Sequence, residues 1–369
     1  MNAADAPSTE DGDPLSIRLT PEAFAKPPGG VRRTALGLLS ALRDAGARVS
    51  VSPFIEEAVT ETSPTPSLLR RGMLQLAEAA YFAGRRLLRE GGVAHSLYYD
   101  QQVRAADWPL VVTVNDMIHE RFGAGGQGLL RAKRVSVNRA SLVITPSNAT
   151  ASDVVKIFPE ARQKVVMIPW AIAPAFLVEP LHPRVAADRP SLLYVGARSG
   201  YKNFEILIRA LAGARDLNDL CLVLVGGEPL RELERGHLTD GLGTEDRFVR
   251  IASPSDDALA RLYDEAATLV VTSRCEGFGL PLLEAMARGC PVAAAEGGST
   301  GEVAGGHAAM FAPDSAEACA DAIRRAIGLS FAQREAARAH AARYNWATTA
   351  EAHIEAYASL HRARVPSRG

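Results

Sequence analysis

Along the chain, short apolar runs rich in β-branched residues alternate with longer stretches in which apolar positions recur every three or four residues. The first kind of run reads as a buried strand and the second as an amphipathic helix. Their regular alternation predicts an α/β protein with parallel sheets. In the first half, strands are predicted at Arg48–Ser52, Val93–Leu97, Leu110–Val114, Leu142–Thr145 and Val165–Ile168. Helices are predicted at Arg32–Ala45, Leu68–Arg89, Gly128–Asn138 and Ala149–Ile157. Between Pro169 and Pro190 the periodicity fades and five prolines appear, which reads as a connecting segment. The alternation restarts at Ser191, with strands at 191–195, 220–225, 248–252, 268–273 and 290–295, and helices near 204–213, 256–267, 281–289 and 316–328. A pattern that stops and restarts predicts two doubly wound, Rossmann-like domains facing a cleft, with ligands outside the carboxyl ends of the strands. The expected divisions are a disordered segment at 1–16, a first domain at 17–175, a second at 176–345, and a last helix with a basic tail at 346–369.

Composition narrows the function. With 369 residues, each half is long enough for a core of its own. Lysine plus arginine (41) nearly cancels aspartate plus glutamate (42), so no global charge draws the chain to nucleic acid. No apolar run approaches the roughly 18 residues that span a bilayer. Residues 1–16 are acidic and carry no apolar stretch, unlike a secretory signal. Four cysteines without a CxxC pair read as reduced thiols in a cytoplasmic protein, and eight scattered histidines offer no ligand spacing, so no metal is expected. The stretch 67–90 places Arg70, Arg71, Arg85, Arg86 and Arg89 on an amphipathic helix. Such a helix either packs on its domain with a solvated arginine face or lies peripherally on an anionic membrane surface.

The segment Thr272–Gly289, TSRCEGFGLPLLEAMARG, is the richest in chemistry. A buried strand enters a loop holding Glu276, Gly277, Phe278 and Gly279, and a helix follows with Pro281 near its first position. Glycines let the backbone approach a ligand, and the helix start presents N–H donors and a partial positive charge suited to an anion. Glu276 and Glu284 nearby suit a ligand that carries hydroxyls as well as charge, since a sugar or ribose diol donates hydrogen bonds to a carboxylate. Taken singly, each glutamate can equally solvate a turn or favour the helix start. A second segment, Tyr194–Phe204 (YVGARSGYKNF), ends a strand at Gly196, presents Arg198 and Lys202, and puts Asn203 where it can cap the next helix. Two cations at a strand's carboxyl end suit a diphosphate, although the dinucleotide pattern GxGxxG is absent.

The stretch EGFGLPLLEAM, with glutamates eight apart around a glycine-rich turn, resembles the EX7E motif of the retaining, nucleotide-sugar-dependent glycosyltransferases of family 4, in their mannosyltransferase-like group. VGARSGYKNFEILIRAL resembles the same family's diphosphate-binding strand, loop and helix, and PPGGVRRTALGLLSAL its glycine-rich first loop. The resemblance covers about residues 27–345 and implies the GT-B fold, with a last helix that crosses back to the first domain. It implies a donor-sugar contact at Glu276, a ribose contact at Glu284, and amides of Gly277, Phe278, Gly279 and Leu280 along sugar and diphosphate. It further implies Arg198 and Lys202 on the diphosphate, Ile251 beside the base, and Gly29 and Gly30 approaching from the first domain. The donor would be GDP- or UDP-linked, the acceptor a saccharide or a lipid-linked sugar, and the product a cell-surface polysaccharide or glycolipid formed with retention, without a cofactor.

One departure stands out. Many relatives carry a histidine before the aspartate in the segment matching VVTVNDMIHE, where this chain has Asn115. Asparagine can hydrogen-bond a sugar hydroxyl but cannot carry a proton. His119, four residues on, either contributes to the donor site or serves structure alone. The departure keeps a non-catalytic nucleotide-sugar-binding partner in play, alongside another GT-B enzyme such as a sugar-nucleotide epimerase.

Overall fold

A computed structural model describes residues 15–26, 29–52, 76–84, 92–99, 108–123, 126–178 and 190–362. The described residues divide into two units, one built from the chain up to Ala171 together with the stretch from Trp346 onward, the other from Ile172–Asn345. Each contains one six-stranded sheet in which every pairing is parallel.

In the first unit the strands are β1 (Ser16–Leu19), β2 (Arg48–Ser50), β3 (Val93–Ser96), β4 (Leu110–Thr113), β5 (Leu142–Thr145) and β6 (Val165–Met167), in the order β2-β1-β3-β4-β5-β6. β3, β4 and β5 are buried at every position, as expected where helices cover both faces of a parallel sheet. β1 corrects the expectation of a disordered stretch through residue 16: Ser16 already pairs with Arg48, and Leu15 is buried. Its polar centre hid it. Arg18 is buried in the sheet, where its guanidinium pairs with Glu78, donates to the Val51 carbonyl at 2.6 Å and lies 3.9 Å from the centre of the Tyr81 ring.

The helix Trp346–Arg362 belongs to this first unit. It packs through Trp346, whose indole lies against Gly37, and through a fully buried polar cluster. One ring nitrogen of His95 lies 2.6 Å from the Tyr357 hydroxyl and the other 2.8 Å from that of Thr113. His353 donates from Nδ1 to the Thr349 carbonyl at 2.8 Å, stacks on Trp170 and leaves Nε2 buried without a hydrogen-bond partner among the described residues.

In the second unit β7 (Ser191–Val195), β8 (Cys221–Val225), β9 (Phe248–Ile251), β10 (Ala266–Val271), β11 (Val292–Ala295) and β12 (Ala309–Phe311) follow the order β12-β11-β10-β7-β8-β9. This is the doubly wound order in which the chain reverses direction between β7 and β10. Leu192, Leu207, Leu222, Leu224 and Ile323 meet in its core.

The proline-bearing segment from Pro169 is packed rather than a free connection: Trp170, Ile172 and Phe176 are buried, and the Ile172 amide donates to the Tyr344 carbonyl at 3.0 Å. Its apolar side chains outweigh its prolines; residues 179–189 lie outside the described ones. The helices Glu232–Leu242 and Phe331–Ala341 were not anticipated. Of the basic helix expected at Leu68–Arg89 only 76–84 is described, and its five arginines, like most of the basic tail, fall outside the described residues. Among the described residues no helix is long and apolar enough to cross a membrane, no group of side chains is arranged to hold a metal ion, and all four cysteines are free.

Candidate functional site

At the reversal point of the second sheet, the carboxyl ends of β7 and β10 lie side by side, and the loop beyond each holds the residues singled out by sequence. Two backbone-anchored contacts join these loops. The Arg274 amide donates to the Tyr201 carbonyl at 2.8 Å, and the Thr272 hydroxyl donates to the Lys202 carbonyl at 2.6 Å. The joint brings the side chains together: Lys202 Nζ donates to Glu276 Oε1 at 2.8 Å, with 20% and 16% of the two side chains exposed. A pair this open can be reached by a ligand. Burial works against the Lys202 charge, but the Glu276 carboxylate more than offsets it, so the ammonium pKa is raised and the cation persists. The Tyr194 phenol beneath is pushed up by burial, against the pull of the Lys202 cation, and donates to the Ala197 carbonyl at 2.7 Å.

Arg198 turns elsewhere. Its guanidinium pairs with Glu234 and donates to the carbonyls of Glu228 and, at 3.4 Å, Gly226. It thus clasps the loop that follows β8. Ile251 closes the same row at the end of β9, where its carbonyl accepts from the Gly226 amide at 2.9 Å, while Arg250 donates to the Gly227 carbonyl at 2.6 Å. Asn203 stands at the cap position of the helix Phe204–Gly213 in a left-handed conformation, but its side chain makes no cap; it donates to the Pro313 carbonyl at 2.7 Å.

The helix Leu280–Ala287 begins at Gly279, whose φ of 103° strongly favours glycine, and Pro281 stands in its first turn. Gly277, Phe278, Gly279 and Leu280 therefore form a tight turn into a helix start. Phe278 is buried edge-on against Tyr344 at 5.7 Å. Glu284, on the core face of that helix, is buried at 2% exposure and accepts from the Tyr263 hydroxyl at 3.1 Å. The two glutamates of the motif therefore take different partners, Lys202 for Glu276 and Tyr263 for Glu284.

Sequence reasoning missed what holds the Glu276 loop. Gly297 and Gly298 run directly against it, and Glu276 forms a parallel bridge with Gly298. The Ser299 amide donates to the Glu276 carbonyl at 3.0 Å, and the Ser299 hydroxyl lies 3.0 Å and 2.9 Å from the carbonyls of Glu276 and Phe278. A Cβ on Gly297 would fall 2.1 Å from the Arg274 carbonyl oxygen, which no rotamer relieves. Gly297→Ala should therefore cost about 1–3 kcal/mol of stability, as overpacking does, and displace Glu276. A lowered denaturant midpoint together with weakened ligand binding checks this. The signal was readable: two glycines one residue beyond a buried strand mark close backbone approach.

In the first unit, Gly29 and Gly30 are exposed at the start of the helix Gly30–Asp44. The Asn115 amide bridges within the unit, donating to the Leu97 carbonyl at 3.3 Å and accepting from the Trp170 indole at 2.9 Å. His119 lies in the helix Ile118–Phe122 with Nδ1 buried and without a hydrogen-bond partner among the described residues.

Two parallel six-stranded sheets flanked by helices define the GT-B class. Sucrose-phosphate synthase from Thermosynechococcus elongatus superimposes with a TM-score of 0.75 at 22% identity, over 95% of this chain and 100% of that one. HepE from Anabaena, in its complex with UDP-glucose, gives 0.70 at 22% identity over 94% and 100%. The sequence matches the model for Glycosyltransferase Family 4 over residues 28–176 and that for Glycosyl transferases group 1 over 189–328. The chain belongs to the family 4 glycosyltransferases. It is 28% identical to O-antigen chain mannosyltransferase B of Escherichia coli over 61% of this chain and 62% of that one. Several other curated relatives are matched over 40–46% of their length.

Proposed function

We propose that the protein transfers a sugar from a nucleoside-diphosphate sugar, UDP- or GDP-linked, to a saccharide or lipid-linked acceptor with retention of anomeric configuration, in the assembly of cell-surface polysaccharide or glycolipid. The observation that carries this reading is the half-open Lys202–Glu276 pair at the strand reversal, beside the start of the helix Leu280–Ala287. A cation and a helix start together receive a diphosphate, and the carboxylate receives sugar hydroxyls. The UDP-glucose complex of HepE and the mannosyltransferase name of the Escherichia coli relative are in keeping with such a donor.

Glycosyl transfer passes through an oxocarbenium-like state while negative charge grows on the departing diphosphate. Lys202 offers a fixed, persistent charge for that growth, and donors that need no rearrangement contribute most. Arg198 is held by Glu234, so in this reading it acts first by shaping the loop beyond β8, and reaches a phosphate only by exchanging that carboxylate. The departing phosphate oxygen can accept the acceptor's proton, so the reading names no covalent nucleophile.

A panel of UDP- and GDP-sugars measured by thermal shift tests the donor assignment. A ligand at a hundred times its Kd stabilises the native state by about 2.7 kcal/mol, so a clear rise in Tm is expected with one nucleotide series. No rise with any member would overturn it. Product analysis with a labelled donor then separates transfer from epimerisation, and slow donor hydrolysis without acceptor excludes a mere binder.

A further inference from the structure

Among the described residues Asn203 is the one residue other than glycine at positive φ, 53°, and it directly follows Lys202. Left-handed backbone is costly for a residue with a Cβ, and asparagine tolerates it better than most. Asn203 is also 7% exposed, with its side chain committed. Its NH2 donates to the Pro313 carbonyl at 2.7 Å, an acceptor that only that end of the amide can satisfy. Pro313 stands in the loop between β12 and the helix Ala316–Ile327. That helix and the helix Phe204–Gly213, which starts at Asn203, share one core through Ile323 and Leu207. The bond therefore ties together the starts of two packed helices. A third loop is tied in as well: Asp314 Oδ1 accepts from Arg274 Nε and Nη2 at 3.0 Å and 2.8 Å, and the Arg274 amide holds the Tyr201 carbonyl.

We infer that Asn203 is a positioning residue that aims Lys202 at the diphosphate of the donor. This rests on the proposed contact between Lys202 and the diphosphate. A lysine ammonium is a point charge on a flexible stem, with no direction of its own. Without ligand, Glu276 holds it at 2.8 Å. Once that carboxylate turns to sugar hydroxyls and the diphosphate takes the cation, the aim of the side chain is set by the backbone that carries it. Lys202 ends the turn Gly200–Lys202, and the Asn203 amide closes that turn on the Gly200 carbonyl at 3.1 Å. The Thr272 hydroxyl grips the Lys202 carbonyl from one side, and the Asn203 side chain pins the next residue from the other. Asn203 acts through Lys202 and does not itself need to touch the ligand.

The test compares the affinity of UDP with that of UMP, and of GDP with that of GMP, in the wild type, Asn203→Gly, Lys202→Ala and the double variant. Glycine keeps the left-handed turn without cost and removes only the side-chain anchor, so N203G should fold. For the nucleotide that binds, the wild type should favour the diphosphate over the monophosphate by about tenfold more than K202A does, equivalent to about 1.4 kcal/mol. In N203G the ratio should fall towards that of K202A, and in the double variant it should fall no further than in K202A, because the two residues act as one unit. The ratio is taken within a single protein, so a lowered folded fraction reduces both affinities equally and cancels. A purely structural role for Asn203 would move Tm and leave the ratio alone. A wild-type ratio in N203G, or an undiminished further loss in the double variant, overturns the inference while a lowered ratio in K202A leaves the parent reading standing. The parent reading fails separately: if K202A keeps the wild-type ratio, Lys202 does not serve the diphosphate, and if neither nucleotide binds, the donor assignment itself falls.

Discussion

Lys202→Ala should lower kcat/KM for the nucleotide-sugar donor by about a hundredfold or more while the protein stays folded, in line with the loss of one preorganised donor at a developing charge. The argument is geometric. Lys202 stands at the end of β7, its ammonium is 2.8 Å from Glu276, and burial has not taken its charge away because that carboxylate sustains it. Removing the side chain deletes the cation opposite the growing negative charge on the diphosphate. Folding should suffer less, because Glu276 remains 16% exposed and water can take up the carboxylate. Steady-state rates with labelled donor, read beside circular dichroism and Tm, check both halves. Wild-type turnover in K202A would remove the diphosphate role.

Acid should weaken the first unit well above the range in which carboxylates titrate. His353 is buried, and that burial lowers its pKa to about 4, with the Thr349 carbonyl opposing the shift only in part. The ordinary value is near 6.5. Between these two values the unfolded chain binds a proton that the native state refuses, so stability is complete above about pH 6.5 and is lost as pH falls towards 4. For His353 alone the loss amounts to about 3 kcal/mol across that window. His95, also lowered by burial and by the neighbouring His353, loses stability in the same direction. Thermal unfolding at pH 7 and pH 5 should show a marked drop in Tm, and His353→Phe should shrink the difference. An unchanged pH dependence in that variant would locate the acid sensitivity elsewhere.

Most strands were legible because apolar, β-branched runs are unambiguous when both faces of a sheet are covered. β7 was expected at 191–195 and found as Ser191–Val195. β1 was not legible: a buried arginine at its centre breaks the apolar run, and the partners that make that burial tolerable, Glu78, the Val51 carbonyl and the Tyr81 ring, lie far away in the chain. The helix Phe331–Ala341 was overlooked although Ser330 and Gln333 form a reciprocal capping box. After Phe331 its apolar positions are all alanines, and the cap was the stronger signal. At the candidate site, Lys202 and Glu276 were named from the sequence and the fold joins them. The sequence did not reveal that Arg198 would be claimed by Glu234, or that Gly297 and Gly298 brace the Glu276 loop. Those are contacts between loops whose spacing is set by strand order, and strand order is not written in any local window.

The first unit is discontinuous along the chain, since the stretch from Trp346 returns to pack Trp346 against Gly37 and Tyr357 against His95. During synthesis, this unit therefore cannot close its core until the helix Trp346–Arg362 has left the ribosome. The second unit, Ile172–Asn345, is a continuous insert and emerges complete before that. A fragment cut at residue 345 keeps every described strand of both sheets yet leaves His95 without its buried partner Tyr357. Expression trials and tags are better directed at the second unit alone than at the first.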